Sequence, residues 1–132
     1  MSRETNQTTV KILIVDDEPN IVLSLEFLMK SNGYEVAVAG NGEEALRMAA
    51  SFMPHLMLLD VMMPAIDGFE VCRQLRVDPV HKSLKILLLT ARGRESEVKR
   101  GFSVGADGYV MKPFSTHELL AKVRELLQDT PH

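Results

Sequence analysis

The chain has 132 residues, 45% of them apolar, and a formal net charge of -3 at pH 7. That length suits one domain with a core of ordinary size, and the slight acidic excess argues against the broad basic face that nucleic-acid binding needs. No apolar run reaches the roughly 20 residues of a membrane-spanning helix, and the polar start MSRETNQTTV lacks the apolar centre of a secretory signal.

Residues 1–9 are polar and read as a disordered arm. Lys11-Ile12-Leu13-Ile14-Val15 is apolar on both faces, as a buried parallel strand should be, and it ends abruptly in Asp16-Asp17-Glu18. Pro19 suits a first helical turn. Ile21, Val22, Leu25, Leu28 and Met29 follow at helical spacing, with Gly33 where a C-terminal cap belongs. Residues 34–39 read as a second strand. Asn41 with Glu44 resembles a capping pair for a helix striped by Ala45, Leu46, Ala49 and Phe52, and Pro54 stops that helix.

Leu56-Met57-Leu58-Leu59 is a third strand, ending in Asp60 and followed by the turn Met63-Pro64-Ala65-Ile66-Asp67-Gly68. Val71, Cys72 and Leu75 mark a third helix, broken at Asp78-Pro79. Cys72 is the single cysteine, so no internal disulfide can form, which points to a reducing, cytoplasmic setting. It is expected to pack as a small apolar residue rather than act in redox chemistry.

Residues 85–90 form a fourth strand. The helix after it has the weakest pattern. Val98 and Phe102 are its expected apolar anchors, and an interior Gly101 costs roughly 1 kcal/mol against Ala. Such sparse anchoring suits a surface that moves. Residues 108–111 are a short fifth strand. Ser115 with Glu118 forms a capping box, and Leu119, Leu120, Val123, Leu126 and Leu127 stripe the last helix. A polar tail, 129–132, follows a domain expected over 10–128. Strands and helices alternate five times, which predicts an α/β doubly wound parallel sheet with helices on both faces.

In a parallel sheet all strand ends share one edge, and ligands bind outside that edge. Asp16, Asp17 and Asp60 bring anionic oxygens there, Thr90 a hydroxyl and Lys112 an ammonium. At about 5 Å and an effective dielectric of about 20, each pair of carboxylates repels by about 3 kcal/mol. A divalent cation is the simplest remedy, and carboxylate oxygens with water suit Mg²⁺. The set as a whole suits phosphoryl transfer: an Asp nucleophile, a metal to neutralise charge, and hydroxyl and lysine donors for the remaining oxygens. Each residue alone has an ordinary reading as a cap, turn or surface charge; their joint appearance on strands one, three, four and five does not.

These residues resemble the response-regulator receiver domain of two-component signalling, over nearly the whole chain. The motifs that carry the resemblance are Asp16-Asp17 after strand one, Asp60 with Met63-Pro64 and Asp67-Gly68 behind it, Thr90-Ala91, and Lys112-Pro113-Phe114. The resemblance implies a flavodoxin-like fold of strand order 2-1-3-4-5. It implies that Asp60 accepts a phosphoryl group from a phosphohistidine. Asp17 and Asp60 would ligate Mg²⁺ directly, Asp16 largely through water, and the backbone carbonyl of Met62 would be a further ligand. Thr90 and Lys112 would bind phosphoryl oxygens, and Lys112-Pro113 would be a cis peptide. Tyr109 lies at the family's switch aromatic, turning inward as Thr90 moves, so that the surface of the fourth helix, fifth strand and fifth helix changes.

The implied partners are a sensor histidine kinase or histidine phosphotransfer protein, and a downstream effector protein or output domain. The fourth and fifth helices offer a plausible homodimer face. The resemblance also implies a switch that modifies itself and turns over no separate substrate. In the family that these residues resemble, the positions of Met62 and Arg92 influence loss of the phosphoryl group; neither side chain can act as a base toward water, so a long-lived phosphoprotein is expected.

Other readings are weaker. Gly40-Asn41-Gly42-Glu43-Glu44-Ala45 matches a dinucleotide fingerprint, but two glutamates would face the pyrophosphate, so it reads as a tight turn. A flavin carrier of the same fold would need a phosphate loop where Asp16-Asp17-Glu18 repels anions. A haloacid-dehalogenase-type phosphatase would want a second Asp where Met62 stands. His55, His81 and His117 lack partners at zinc-ligand spacing. The main competitor is a receiver-shaped interaction module that works without phosphorylation, against which the intact acid, hydroxyl and lysine set speaks.

Overall fold

Side chains alternate across a strand, so an apolar run buried on both faces feeds two cores. Leu13 and Val15 enter one core with Met57, Leu59, Ile86 and Leu88, while Ile12 and Ile14 enter the other with Leu56, Leu58, Leu87 and Leu89. The computed structural model describes residues 9–91 and 95–128. The elements are β1 (Lys11–Val15), α1 (Pro19–Ser31), β2 (Glu35–Ala39), α2 (Gly42–Phe52), β3 (Leu56–Asp60), α3 (Gly68–Arg76), β4 (Lys85–Ala91), α4 (Glu95–Ser103), β5 (Gly108–Lys112) and α5 (Thr116–Gln128). A short 3₁₀ turn, Pro79–His81, joins α3 to β4; the Asp78-Pro79 break in the sequence marks its start. Of the expected arm, 1–9, residues 1–8 lie outside the described residues, as does the expected tail, 129–132.

All strand pairs are parallel, and the order is β2-β1-β3-β4-β5, as the resemblance implied. Helices α2 and α3 cover one face with Ala45, Ala49, Phe69, Val71, Cys72 and Leu75. Helices α1 and α5 cover the other with Leu25, Met29, Leu119, Val123 and Leu126. The result is the three-layer α/β/α arrangement.

Caps fall where the sequence places them. Asn41 accepts the Glu44 N–H at 2.8 Å, while the Glu44 carboxylate accepts from Gly40 at 2.8 Å, one residue ahead of the usual reciprocal partner. Ser115 accepts the Glu118 N–H at 3.0 Å. Gly33 has φ +90, the left-handed conformation that ends α1. The fingerprint-like turn at 40–45 is this capped start of α2, with Glu43 and Glu44 in its first turn.

One expectation about α4 is reversed. Phe102 is not an anchor: it is 47% exposed. Gly101 is instead the buried residue, and a Cβ there would run into the Leu88 side chain. The glycine lets α4 lie close against β4, which apolar periodicity does not report because a hydrogen carries no hydrophobic signal. Val98 is half-buried.

Candidate functional site

Parallel register carries the site residues to one place. Val15 pairs with Leu59, Asp60 with Leu89, Thr90 with Met111 and Ala91 with Lys112. The strand ends are therefore level, and side chains up to 96 positions apart in sequence meet. One carboxylate oxygen each from Asp16, Asp17 and Asp60 lies within 4.8 Å of the others. Asp16 and Asp60 are buried; Asp17 is exposed and forms the open side. Behind Asp60, α3 starts hard against its backbone: a Cβ on Gly68 would stand 2.5 Å from the Asp60 carbonyl oxygen. Asp67 caps that helix by accepting the Glu70 N–H at 2.9 Å.

Lys112 closes the cluster. Its Nζ donates to Asp16 Oδ2 at 3.0 Å and to Asp60 Oδ1 at 3.3 Å. The ammonium thus offsets part of the repulsion that the sequence reading left entirely to a metal. Asp16 Oδ1 accepts the Glu18 N–H at 3.0 Å, and Asp60 Oδ1 also accepts the Met62 N–H at 3.4 Å. Both of these bonds to Asp60 fall on Oδ1, and neither engages Oδ2.

Burial pushes the Asp60 carboxyl up to about 6, helped by the Asp16 charge and opposed by Lys112 and the Met62 N–H. At neutral pH it is still mostly ionised. Burial alone would pull Lys112 down, but the hydrogen bond to Asp16 and the charges of Asp60 and Asp16 together hold it above its ordinary value. Oxygen donors with one open side fit a hard divalent cation. Among the described residues this trio is the one group at metal-ligand spacing. His55 Nδ1 instead accepts the Lys11 N–H at 3.0 Å, tying β1 to the start of β3.

Thr90 is 2% exposed, and its hydroxyl donates to Glu97 Oε1 on α4 at 3.0 Å. The sequence reading missed Glu97, which belongs to no motif. Tyr109 is 37% exposed, with its ring edge-on to Phe102 at a centroid distance of 6.2 Å and an interplanar angle of 85°. It therefore points outward. Met62 is 52% exposed on the rim. Arg92 lies outside the described residues. The Lys112-Pro113 bond is cis. Cys72 is buried, donates to the Val104 carbonyl at 3.5 Å, and burial pushes its thiol up to about 11. It is an inert core residue, as expected.

The family model for the response regulator receiver domain matches residues 12–124. The chain belongs to this family. The receiver domain is 50% identical over 122 residues to response regulator MprA of Mycobacterium ulcerans, a match covering 92% of this chain and 52% of MprA. It spans about half the length of the curated relatives it matches. Among solved structures it resembles chemotaxis response regulator CheY4 of Vibrio cholerae, with a TM-score of 0.85 and 34% identity, over 90% of this chain and 99% of that one. It also resembles the receiver domain of a sensor histidine kinase from Pseudomonas aeruginosa, which holds a magnesium ion in its active site cleft. There the TM-score is 0.83 and the identity 26%, over 92% of this chain and 99% of that one. The fold, the acidic pocket and the family agree that this is a receiver domain of two-component signalling. No helix of the described residues is long and apolar enough to cross a membrane.

Proposed function

We propose that Asp60 is the phosphoacceptor of a histidine-to-aspartate phosphorelay in the cytoplasm. The donor would be the phosphohistidine of a sensor histidine kinase or histidine phosphotransfer protein. The observation that carries this reading is Lys112 Nζ bridging Asp16 and Asp60 at the mouth of a carboxylate trio. That arrangement sets the Asp60 carboxylate beside a cation and a hydroxyl-bearing strand end.

Asp60 Oδ2 attacks phosphorus, the new O–P bond forms as the N–P bond breaks, and the electron pair returns to the imidazole nitrogen. Asp17, Asp60 and the Met62 carbonyl would hold Mg²⁺, with Asp16 acting through water; the bound ion supplies neutralising charge for the phosphoryl oxygens. Lys112 turns a donor to one of those oxygens while still holding Asp16. Thr90 donates its hydroxyl to another. Glu18 N–H keeps Asp16 oriented throughout.

The readout follows from Thr90. As its hydroxyl is drawn toward the phosphoryl group, Tyr109 turns from its exposed position toward the space released. The surface of α4, β5 and α5 then changes for a downstream effector protein or output domain. The domain modifies and slowly unmodifies itself and turns over no separate substrate. The exposed Met62 thioether cannot act as a base toward water, which favours a long-lived phosphoprotein.

The test is incubation with Mg²⁺ and acetyl phosphate, read by intact mass. Uptake of one phosphoryl group by the natural chain, and none by Asp60→Asn or without Mg²⁺, is expected. A chain that stays unmodified would favour a module that works without phosphorylation. Tyr109→Ala should still take up the phosphoryl group while losing the partner-facing change.

A further inference from the structure

The phosphoacceptor reading gives Thr90 one hydroxyl proton and two claimants for it. In this structure the proton goes to Glu97 Oε1 at 3.0 Å. Thr90 sits near the end of β4 and Glu97 in the first turn of α4. The bond therefore ties the helix to the strand that carries the phosphoryl-binding hydroxyl. A cleft of about 440 Å³ lies between the residues that follow Asp60 and α4, walled by Met62, Pro64, Phe69, Glu97 and Arg100. On its α4 side Arg100 lies over the Phe69 ring, 4.2 Å from the centroid. The helix thus borders open space next to the acid cluster.

We propose that Glu97 is a positioning residue that latches Thr90 in the unmodified state. The inference rests on Asp60 being the phosphoacceptor. The Glu97 carboxylate stands in as the hydroxyl's acceptor before any phosphoryl group arrives. A phosphoryl group on Asp60 offers Thr90 three strong acceptor oxygens and repels Glu97 by like charge. Both effects act in the same direction: Thr90 changes partner, and α4 loses a tether to β4. The phosphoryl signal therefore reaches α4 directly through one exchanged hydrogen bond, beside the motion of Tyr109.

A latch that has to open before the phosphoryl group transfers carries a kinetic signature. An interaction present only in the unmodified state opposes phosphorylation, so removing it favours the modified state. Glu97→Ala should speed phosphorylation by acetyl phosphate about fivefold, the scale of one partly exposed hydrogen bond to a charged acceptor. Glu97→Gln keeps an acceptor oxygen and should stay within about twofold of the natural chain. In a Thr90→Val background the gain from Glu97→Ala should shrink, because the Thr90 bond it removes is already gone.

A second measurement does not depend on phosphorylation. Amide hydrogen exchange of α4 in the unmodified, full chain should quicken by a similar factor in Glu97→Ala and in Thr90→Val, and not in Glu97→Gln. Thr90→Val leaves the sequence of α4 untouched, so a shared change reports the tether and not helix propensity. Equal exchange in all four proteins, or a rate gain from Glu97→Ala that persists undiminished in the Thr90→Val background, would overturn the latch. If the natural chain takes up no phosphoryl group while exchange responds as expected, the phosphoacceptor reading fails and the tether stands.

Discussion

Helices α3 and α4 are both nine residues long and sit side by side on one face of the sheet, yet they are held differently. Helix α3 buries Gly68, Phe69, Val71, Cys72 and Leu75 and is capped by Asp67. Its far end is clamped as well. Arg76 donates to the Gly105 carbonyl at 2.8 Å, the His81 carbonyl at 3.0 Å and Asp107 at 2.6 Å. Helix α4 leaves Phe102 exposed and rests on the sheet through Gly101 against Leu88. The contrast separates two tasks. On the proposed reading, the helix behind Asp60 would keep a nucleophile still and has a dense core, and the helix that would answer Thr90 has the sparser attachment that a shift needs.

The largest effect expected is on function. Asp60→Asn removes the carboxylate on the rigid side and should abolish phosphoryl uptake, measured by intact mass, while α4 stays docked.

Core truncations sharpen the comparison next. Leu75→Ala in α3 should cost about 2–5 kcal/mol in denaturant unfolding, as a fully packed leucine does. Val98→Ala in half-buried α4 should cost less than about 1 kcal/mol. Equal losses would erase the distinction between the helices.

The acid cluster gives a pH test. Asp60 is held at about 6 in the folded state against 3.8 ordinarily, so the folded state keeps an extra proton between these values. Stability of the metal-free protein therefore falls as pH rises through that window, by about 2–3 kcal/mol in total. Asp60→Asn should lack this component, so its stability relative to the natural chain should grow from pH 4 to pH 7. Mg²⁺ should raise the melting temperature more at pH 7 than at pH 5, where protons compete for the same oxygens. A flat difference between the two proteins across pH would contradict the buried-charge reading.

The smallest effect is at the seam between α4 and the sheet. Gly101→Ala gains about 1 kcal/mol of helix propensity but overpacks Leu88, which costs roughly 1–3 kcal/mol. A net loss of about 1 kcal/mol is expected, together with faster hydrogen exchange confined to α4. Net stabilisation would mean that Leu88 yields freely and that glycine is not needed for the approach.

Much of this was legible in one dimension. Apolar runs ending in Asp16-Asp17, Asp60 and Thr90, separated by capped helical stripes, determined the alternation, the parallel sheet and the shared edge, because side-chain period and burial follow from local covalent geometry. Asn41 and Ser115 marked helix starts for the same local reason. What only the tertiary structure decided involves partners distant along the chain or lacking any pattern. Lys112 answers Asp16 across 96 positions, Arg76 clamps Asp107 across 31, and Gly101 turns a propensity cost into close packing against Leu88. Thr90 and Glu97 are only seven positions apart, but their bond depends on how α4 docks after the strand ends. Such contacts depend on the packing of whole elements, and no periodicity within either partner's own segment encodes them.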